Sequence, residues 1–537
     1  MKKINAIVVS MLFVCTSVFL TGCDDDDPAP TILDITTLNG SWVDDNVPLA
    51  GEEEGFVVVE FLITDTSADG EVYAATLNDA NIVCPDPLFR NLVAAEGNSF
   101  VGEGLLSSGG SYEDVTLTLI DDNTINVSWD CSSCTPVVDV LSKTTSLSDV
   151  LPIVVNSDID EETTFYNIVC DPDIPDYVVT DLIDVRAHLT IMPGVVIAFE
   201  ANAGMDITDV NADGSLTAEG TGSDKIIFTG TEEEAGFWRG LSFESNDSRN
   251  VLREVNVRYA GSDPIVTYGT GVALHGAVAI ESESGFNGSL SIERTTISNT
   301  SGYGLIVEEG TLLREFGANS FVNNTESAVR IDANNVGAID AFSDFFGGIP
   351  ELNGTNGFNG VEINASGSSI HDITEDAVWP ALDRGAAYRV EQSFDVEAQL
   401  NIMPGAIIEF EANQTAIFKQ NLDIPLGTLI AKGTESDPIT FTGVLKTPGY
   451  WQGLIIQSNS ILNEMDYCII EYGGSDPIAG ELANIGVEKD GAYDSPSLKV
   501  TNSIIRYSAG CGIVFEAGNL NYDGSTFSDN VGLDVCL

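Results

Sequence analysis

The first candidate for chemistry is an acidic loop in which oxygen-bearing side chains recur at every second position. Asp209, Asn211 and Asp213 precede a glycine and give the pattern D-x-N-x-D-G. Oxygen ligands at this spacing converge on a hard cation, and the glycine permits the sharp bend that follows. The twelfth position, normally Glu in such a loop, is Gly220, with Glu219 beside it. The pattern predicts a Ca²⁺ site; the simpler alternative is an acidic loop between strands.

The N-terminus carries an export signal. Lys2 and Lys3 precede an apolar run from Ile4 to Leu20, which is too short for a typical membrane-spanning helix. The run ends in L-T-G-C, which resembles a bacterial lipobox and implies a signal peptide over residues 1–22 and a lipid on Cys23. Such a lipid would anchor the mature protein without spanning the membrane. An ordinary cleaved signal peptide that happens to contain a cysteine is the alternative.

An acidic, proline-containing stretch follows the cysteine. Residues 23–35 include Asp24 to Asp27 and are predicted to form a solvated tether. The acidic run resembles the surface-export signal of Bacteroidetes lipoproteins, whereas in enterobacteria Asp after the cysteine resembles an inner-membrane retention signal. The first resemblance implies the outer membrane or cell surface as the location. A periplasm-facing lipoprotein is the alternative.

The cysteines fit an exported protein. Cys131 and Cys134 form a C-x-x-C pair, and in an oxidising compartment neighbouring cysteines pair by default. A metal site would need a second such pair or a nearby histidine. We therefore predict a disulfide in preference to a metal site, with Cys84 as an alternative partner. Cys468 falls on an inward strand position, where a small core residue is expected.

The overall charge excludes one class of partner. The chain has 83 acidic and 21 basic residues, a formal net charge of −62. Nucleic-acid binding needs basic patches that displace counterions from phosphates, so nucleic acid is not an expected partner. The same repulsion disfavours polyanionic glycans unless metal ions bridge the two. A highly acidic surface is suited to a salty exterior, where screening shortens the reach of the repulsion.

The sequence contains a long internal duplication, and this duplicated region must position any functional side chains. Pro193 corresponds to Pro404 (404 − 193 = 211) and Trp238 to Trp451 (451 − 238 = 213), so the two copies differ by two residues over this stretch. A duplication this long contains several structural units, because stacked repeats usually run about 20–45 residues each. The first copy is assigned to residues 149–360 and the second to 361–537.

Inside each copy the apolar residues recur with a period of two. Successive side chains of a strand point to opposite faces, so these residues line one face of half-buried strands. The Pro-Gly pairs that follow mark turns. The apolar set of the first copy is Leu189, Ile191, Val195, Ile197 and Phe199, and that of the second is Leu400, Ile402, Ala406, Ile408 and Phe410.

The combined pattern resembles a known family. The motifs L-x-I-x-P-G-x-x-I-x-F, G-x-L-x-A-x-G-T, I-x-F-T-G, W-x-G-L and Y-x-G-S-D-P occur in both copies, with small substitutions. They resemble the right-handed parallel β-helix repeats of pectin-lyase-like surface lipoproteins, over roughly residues 150–537. The resemblance implies an all-β protein with a duplicated right-handed parallel β-helix. It says little about activity, because one fold carries many functions.

Residues 36–148 form a separate module without the repeat. Strand-like runs joined by Asp, Gly and Asn turns fill it, and about 110 residues suffice for one core. The Gly-Ser-Trp sequence ending at Trp42 resembles the start of lipocalin-like domains. We expect a small antiparallel β-barrel, with a β-sandwich as the alternative.

Catalytic motifs do not emerge from the sequence. The three histidines, His188, His275 and His371, lie in no recognisable arrangement. His188 corresponds to Gln399, as a tolerant exterior position would. No glycine-rich phosphate loop or nucleophile elbow occurs. The Gly-His-Gly and Asn-Thr-Asp signatures that we associate with polygalacturonase-like enzymes are also missing from the sequence.

Lyases of the β-helix fold need a basic residue that abstracts a proton beside a carboxylate. The candidates are Arg239, Arg253 and Arg258, but Arg239 corresponds to Gln452 and Arg258 to Glu471. Each is therefore interpreted as a surface arginine. Glycosidases need two positioned carboxyl groups, and among 83 acids close pairs are expected by chance.

The expected function is non-catalytic. A long solenoid offers a repetitive flank to extended ligands, so we expect adhesion or glycan binding, with the lipid anchor at the membrane and a polysaccharide or another surface protein as partner. A polysaccharide lyase or glycoside hydrolase on the same fold is the first alternative. A structural stalk is the second.

Overall fold

A computed structural model describes residues 35–38, 40–48, 54–64, 67–75, 89–105, 112–130, 140–143, 152–167, 172–208, 214–267, 272–283, 286–347, 355–364, 371–420, 426–490 and 495–537. Within these ranges nearly all regular structure is β. The helices described are short 3₁₀ turns at Ile35–Leu38, Asn335–Ala338 and Asp383–Gly385. In the described part of the chain, no helix has the length and apolar character needed to cross a bilayer.

The N-terminal module is an antiparallel sheet that closes on itself. Consecutive strands pair, and β1 also pairs with β8, so the sheet is a closed barrel, one of the two expected forms. Its core holds the buried Trp42, Phe61, Phe89 and Phe100, and the Trp42 indole donates to the Leu38 carbonyl at 2.8 Å. The strands are β1 (Gly40–Pro48), β2 (Glu54–Thr64), β3 (Ser67–Ala75), β4 (Phe89–Ala94), β5 (Ser99–Leu105), β6 (Tyr112–Asp121), β7 (Thr124–Trp129) and β8 (Val140–Lys143).

Parallel strands make up the first copy. The strands are β9 (Ile153–Val155), β10 (Thr163–Phe165), β11 (Tyr177–Val179), β12 (Leu182–Val185), β13 (His188–Ile191), β14 (Val196–Phe199), β15 (Gly204–Ile207), β16 (Ser215–Glu219), β17 (Ile226–Gly230), β18 (Gly240–Phe243), β19 (Val251–Arg253), β20 (Val255–Arg258), β21 (Val266–Thr267), β22 (Ala273–Leu274), β23 (Gly276–Ile280), β24 (Ser282–Glu283), β25 (Phe286–Asn287), β26 (Ser289–Glu293), β27 (Thr296–Ser298), β28 (Tyr303–Val307), β29 (Leu312–Gly317), β30 (Ser320–Val322) and β31 (Ser327–Ile331). The pairs β21–β22 and β24–β25 are antiparallel hairpins.

The second copy continues in the same manner. Its strands are β32 (Phe358–Ile363), β33 (His371–Ile373), β34 (Ala377–Trp379), β35 (Ala387–Val390), β36 (Phe394–Val396), β37 (Gln399–Ile402), β38 (Ile407–Phe410), β39 (Thr415–Phe418), β40 (Thr428–Lys432), β41 (Ile439–Gly443), β42 (Gly453–Ile456), β43 (Glu464–Asp466), β44 (Cys468–Glu471), β45 (Ala483–Val487), β46 (Ser497–Thr501), β47 (Ile504–Arg506), β48 (Cys511–Phe515), β49 (Asn519–Asn521), β50 (Thr526–Ser528) and β51 (Val535–Cys536).

Successive strands visit three sheets in rotation. Apart from the hairpins, the strands from β10 to β31 enter three sheets in turn. Two of these sheets have the orders β10-β13-β16-β19-β26-β29 and β30-β27-β20-β17-β14-β11-β9, and the third is one long sheet. From β32 the rotation continues between the long sheet, β33-β36-β39-β42-β45-β48-β51 and β34-β37-β40-β43-β46-β49. The long sheet has the order β12-β15-β18-β23-β28-β31-β32-β35-β38-β41-β44-β47-β50 and therefore runs through both copies. Such stacked parallel sheets are compatible with a parallel β-helix.

The inward faces form one core along both copies. The ten apolar residues assigned to the inward faces are at most 3% exposed, which confirms the period of two. Phe199 stacks on Trp238 at 4.1 Å between ring centroids, and Phe410 stacks on Trp451 at 4.3 Å. The turns predicted at the two Pro-Gly pairs are present, with glycine φ angles of 83° and 85° that favour glycine.

Candidate functional site

The outer face of the long sheet carries a row of mostly charged side chains at one level. The strand registers align the first five members from β31 to β41, and they align the last two on β44 and β47. The Thr442 hydroxyl, 3.1 Å from the Glu471 carboxylate, joins the two parts. At about 4.8 Å per strand this row is roughly 29 Å long. The charged column consists of Arg330, Glu362, Arg389, Glu409, Thr442, Glu471 and Arg506.

Strand alternation places the column outside the core. Val329 and Ile331 flank Arg330 and are buried among the apolar side chains, so Arg330 points to the opposite face. The same alternation applies to Glu362 between Val361 and Ile363. Because paired strands bring facing side chains about 5 Å apart, opposite charges at neighbouring positions stabilise the sheet.

Ion pairs along the column follow this alternation of charge. The Arg330 Nη1–Glu362 Oε1 distance is 2.5 Å, and the Arg506 Nε–Glu471 Oε2 distance is 2.7 Å. Glu362 also accepts hydrogen bonds from the hydroxyls of Ser327 (2.5 Å) and Tyr303 (3.4 Å). These groups are fully engaged in holding one another and give the column a fixed geometry.

Arg389, in the middle of the column, is less completely paired. Its guanidinium carbon lies 3.7 Å from the centroid of the Phe358 ring, and its Nη2 atom is 3.4 Å from Glu409 Oε2. Among the described residues, its buried Nε–H finds no hydrogen-bond acceptor. Leaving such a donor buried and unsatisfied costs about 1–3 kcal/mol. The side chain is 25% exposed, so the outer part of this stacked guanidinium can contact a ligand.

Carboxyl groups line the column on one side. Glu391 follows β35, and burial, reinforced by the charges of Glu362 and Glu411, raises its pKa to about 7. Glu411 follows β38 and accepts a hydrogen bond from the Tyr450 hydroxyl. Further along the same edge, burial raises the pKa of Glu281 to about 8 and that of Asp332 to about 6. Such displaced pKa values concentrate at functional sites.

The predicted calcium ligands and cysteines lie elsewhere. Asp209, Asn211 and Asp213 fall outside the described residues, as do Cys23, Cys84, Cys131 and Cys134. Within the described part of the chain, no three His, Cys, Asp or Glu side chains come together in a group that could hold a metal ion. The calcium, lipidation and disulfide assignments therefore stay predictions.

The arginines considered for catalysis have structural partners. Arg239 pairs with Asp206 and its side chain is only 15% exposed, so the expectation of a surface arginine is wrong there. Arg253 bridges Glu219 and Glu293. The Arg258 Nε–H donates to a threonine hydroxyl at 3.1 Å. None of the three belongs to the charged column.

Histidine and cysteine positions complete the comparison with the sequence. His188 is half-buried between the hydroxyls of Ser215 and Thr190, and His371 begins β33. Cys468 is a buried free cysteine, which confirms its assignment to the core. Cys511 and Cys536 form a disulfide that the sequence did not single out.

Sequence analysis missed the column as a unit. Alternation along β38 places Glu409 on the outward face, but its neighbours across the sheet depend on strand register. Arg389 and Glu409 are separated by a full circuit of the three sheets. The available signal was charge at equivalent outward positions of successive strands in the second copy.

Comparison with known proteins does not assign a family. No protein-family model matches this chain, and no curated protein is significantly similar to it in sequence. Functional inference therefore depends on the geometry of the charged column and its surroundings.

Proposed function

We propose that this protein is a lipid-anchored cell-surface protein that binds an extended, uncharged glycan along the charged column without cleaving it. The observation that carries the proposal is Arg389, whose guanidinium stacks on the Phe358 ring in the middle of the column and remains partly exposed. In this proposal the stacked parallel sheets form a right-handed parallel β-helix, and the N-terminal barrel is a lipocalin-like module between the lipid anchor and the helix.

The shape and chemistry of the column support a linear polymer of sugars. A straight row of roughly 29 Å repeats its side-chain spacing from strand to strand. Arginine and glutamate side chains supply donors and acceptors to hydroxyl groups. The Phe358 and Tyr303 rings, each within 5.5 Å of an arginine of the column, supply apolar surface.

The distribution of charge over the column and the rest of the chain favours an uncharged glycan as the ligand. Within the column itself the three arginines balance the three glutamates, whereas the whole chain carries a net charge of −62. An anionic polymer would meet repulsion from the rest of the surface at long range. A neutral polymer meets none and can form hydrogen bonds with the partly exposed side chains of Arg389, Glu409 and Arg506.

Retention by polysaccharides in native gels tests the binding. The full chain, run in gels containing neutral polysaccharides such as β-glucan, xylan, mannan or starch, should be retarded by at least one of them. Gels containing polygalacturonate should leave its mobility unchanged, and no reducing ends should accumulate in either case. Unchanged mobility in every neutral gel would remove the proposal and leave a structural stalk.

The membrane anchor has its own test. Cys23→Ser removes the thiol that the lipidation signal needs, so the variant should leave the detergent phase after phase separation, while the unmodified chain should enter it. Protease added to intact cells should degrade the anchored protein if it lies on the outer surface. Protection from protease would favour the periplasm-facing alternative.

Glycoside hydrolysis is the second candidate. One carboxyl group must hold a proton and another must be ionised, and Glu391, with a pKa of about 7, faces the charge of Glu411. An enzyme would release reducing ends from a neutral glycan, and Glu391→Gln would abolish that release while leaving retardation in the gel intact. Absence of product with every retained glycan contradicts this candidate.

A further inference from the structure

A cleft of about 410 Å³ lies beside the charged column, where β23, β28 and β31 begin. Its size falls within the range of pockets that bind small molecules. The polar groups that line it include Ser262, His275, Ser301, Tyr303 and Glu326. Tyr303 links the cleft to the column, because its hydroxyl also meets Glu362 at 3.4 Å.

His275 presents a hydrogen-bond acceptor in the cleft. Its Nδ1 atom is 3.0 Å from the carbonyl oxygen of Gly261. A carbonyl only accepts, so Nδ1 carries the proton and Nε2 of the neutral ring keeps its lone pair. The contact with Gly261 also fixes the orientation of the ring.

Two further residues with side-chain oxygens, Ser262 and Glu326, line the cleft. The Ser262 Oγ atom is buried and, in the part of the chain that the structure describes, makes no hydrogen bond. The Glu326 carboxylate is exposed at the rim and is the one carboxylate among the described residues that line the cleft. A hydroxyl donor or acceptor placed here would satisfy groups that the protein leaves open.

The second copy shows that the fold does not require these side chains. Tyr303 N–H donates to the His275 carbonyl at 2.9 Å, and Cys511 N–H donates to the Leu482 carbonyl at 2.7 Å in the equivalent place. The same backbone bond is thus made with Leu482 and Cys511 instead of His275 and Tyr303. Cys511 is further committed to a disulfide.

We propose that this cleft binds one neutral, hexose-sized sugar residue, the terminal unit of the glycan that lies along the charged column. The inference rests on the proposed function and names the subsite for the chain end. Hydroxyl groups of the sugar donate to His275 Nε2 and Glu326 and accept from Ser262, while the Tyr303 ring faces its apolar C–H surface. The negative charge of Glu326 selects against anionic sugars.

The test uses the full chain and the small number of histidines in it. D-glucose, D-galactose, D-mannose and D-glucuronate are titrated while the imidazole signals of His188, His275 and His371 are followed by NMR. At least one neutral hexose should shift the signals of His275 alone, and D-glucuronate should not.

Two variants and one control accompany the titration. His275→Leu installs the residue that the second copy carries, and Glu326→Gln changes an exposed side chain; each should weaken hexose binding at least tenfold. His188→Gln likewise installs the second copy's residue, Gln399, away from the cleft, and should bind like the unmodified chain. Circular dichroism checks that each variant folds.

The possible outcomes separate the two proposals. If a neutral polysaccharide is retained but no neutral hexose moves the His275 signals, or if both cleft variants bind as tightly as the unmodified chain, the cleft proposal is overturned and the column proposal survives. If no polysaccharide is retained but a hexose still shifts His275 and both cleft variants weaken it, the column proposal fails and the sugar site in the cleft stands alone.

Discussion

The two copies of the repeat place different side chains on the same backbone level. In the first copy Val178 pairs with Ala198, and in the second copy the corresponding pair is Arg389 and Glu409. Both rows face away from the core, yet one is nearly uncharged and the other is a row of ion pairs. Packing does not explain the difference, since the inward residues on either side are alike. The comparison therefore identifies the outer face of the second copy as the part of the repeat that is free to carry function.

The core shows the opposite behaviour. Trp238 donates its indole N–H to the Arg258 carbonyl at 2.8 Å, and Trp451 donates to the Glu471 carbonyl at the same distance. These contacts use the backbone of residues whose side chains have opposite charge. Close-packed interiors tolerate few changes in shape, which explains why the tryptophans recur while the outward side chains diverge.

The largest expected effect is on the shared core. Trp238→Ala and Trp451→Ala each remove a fully buried ring and its stacking contact with a phenylalanine, and each should lower the free energy of unfolding by about 3–5 kcal/mol. Denaturant titration followed by circular dichroism measures both. Phe342→Ala, at a side chain that is 83% exposed, is the control and should change little. Unequal losses in the free energy of unfolding for the two variants would contradict the structural equivalence of the copies.

The next effect is confined to the second copy. The disulfide between Cys511 and Cys536 closes a loop with a sequence separation of 25, and its loss should destabilise this end by roughly 3 kcal/mol. A Cys511→Ala/Cys536→Ala double variant should have a lower melting temperature than the unmodified chain under oxidising conditions. Cys468→Ala retains the disulfide, so reductant should lower its melting temperature as it does for the unmodified chain. In the double variant reductant should lower the melting temperature less, because this disulfide is already absent.

A third prediction transfers a first-copy residue to the charged column. Arg389→Val installs the side chain found at Val178 and removes a charge-assisted donor, which is worth about 1.5–3 kcal/mol. Retention by a neutral polysaccharide should weaken at least tenfold, measured from gel mobility against polysaccharide concentration. The reciprocal change, Val178→Arg, is the control and should leave retention as it is. Equal retention by all three chains would contradict the role given to Arg389.

The smallest predicted effect concerns pH. Burial, with the charges of Glu308, Glu244 and Asp206, raises the pKa of Glu281 to about 8, although the Ser242 hydroxyl donates to it. The folded chain then holds a proton that the unfolded chain releases near pH 4.5. The stability from this group therefore falls as the pH rises from about 4.5 through 8. Between pH 7 and 9 the loss should be roughly 1.4 kcal/mol.

The amide variant isolates this carboxyl group. Glu281→Gln keeps an acceptor for Ser242 but cannot ionise, so it should be more stable than the unmodified chain at pH 9 and nearly equal to it at pH 4, below the pKa of the carboxyl group in the unfolded chain. Glu488 follows the equivalent strand of the second copy and accepts the Ala479 N–H at 3.0 Å. Glu488→Gln should therefore give no gain at pH 9. A gain in stability at pH 9 from both substitutions, or from neither, would contradict this difference between the copies.

Much of the scaffold follows from local sequence. Leu189 and Ile191 alternate with polar residues because only one face of their strand is buried, and the Pro-Gly pairs mark the turns because glycine accepts a positive φ there. The position of Cys468 in the core follows from the same alternation. Polar residues on the outward face carry no comparable signal, so the ion pair between Arg239 and Asp206 was not foreseen.

The sequence by itself determined the duplication, the period of two and the side chains that enter the core, because burial acts on each strand separately. The tertiary structure decided which outward residues meet. Arg389 and Glu409 become neighbours only when the chain completes a circuit and their strands pair in parallel. Cys511 reaches Cys536, and Glu281 loses its water, for the same reason: strand register sets distances between residues that are remote in sequence, and these distances set pairing and pKa.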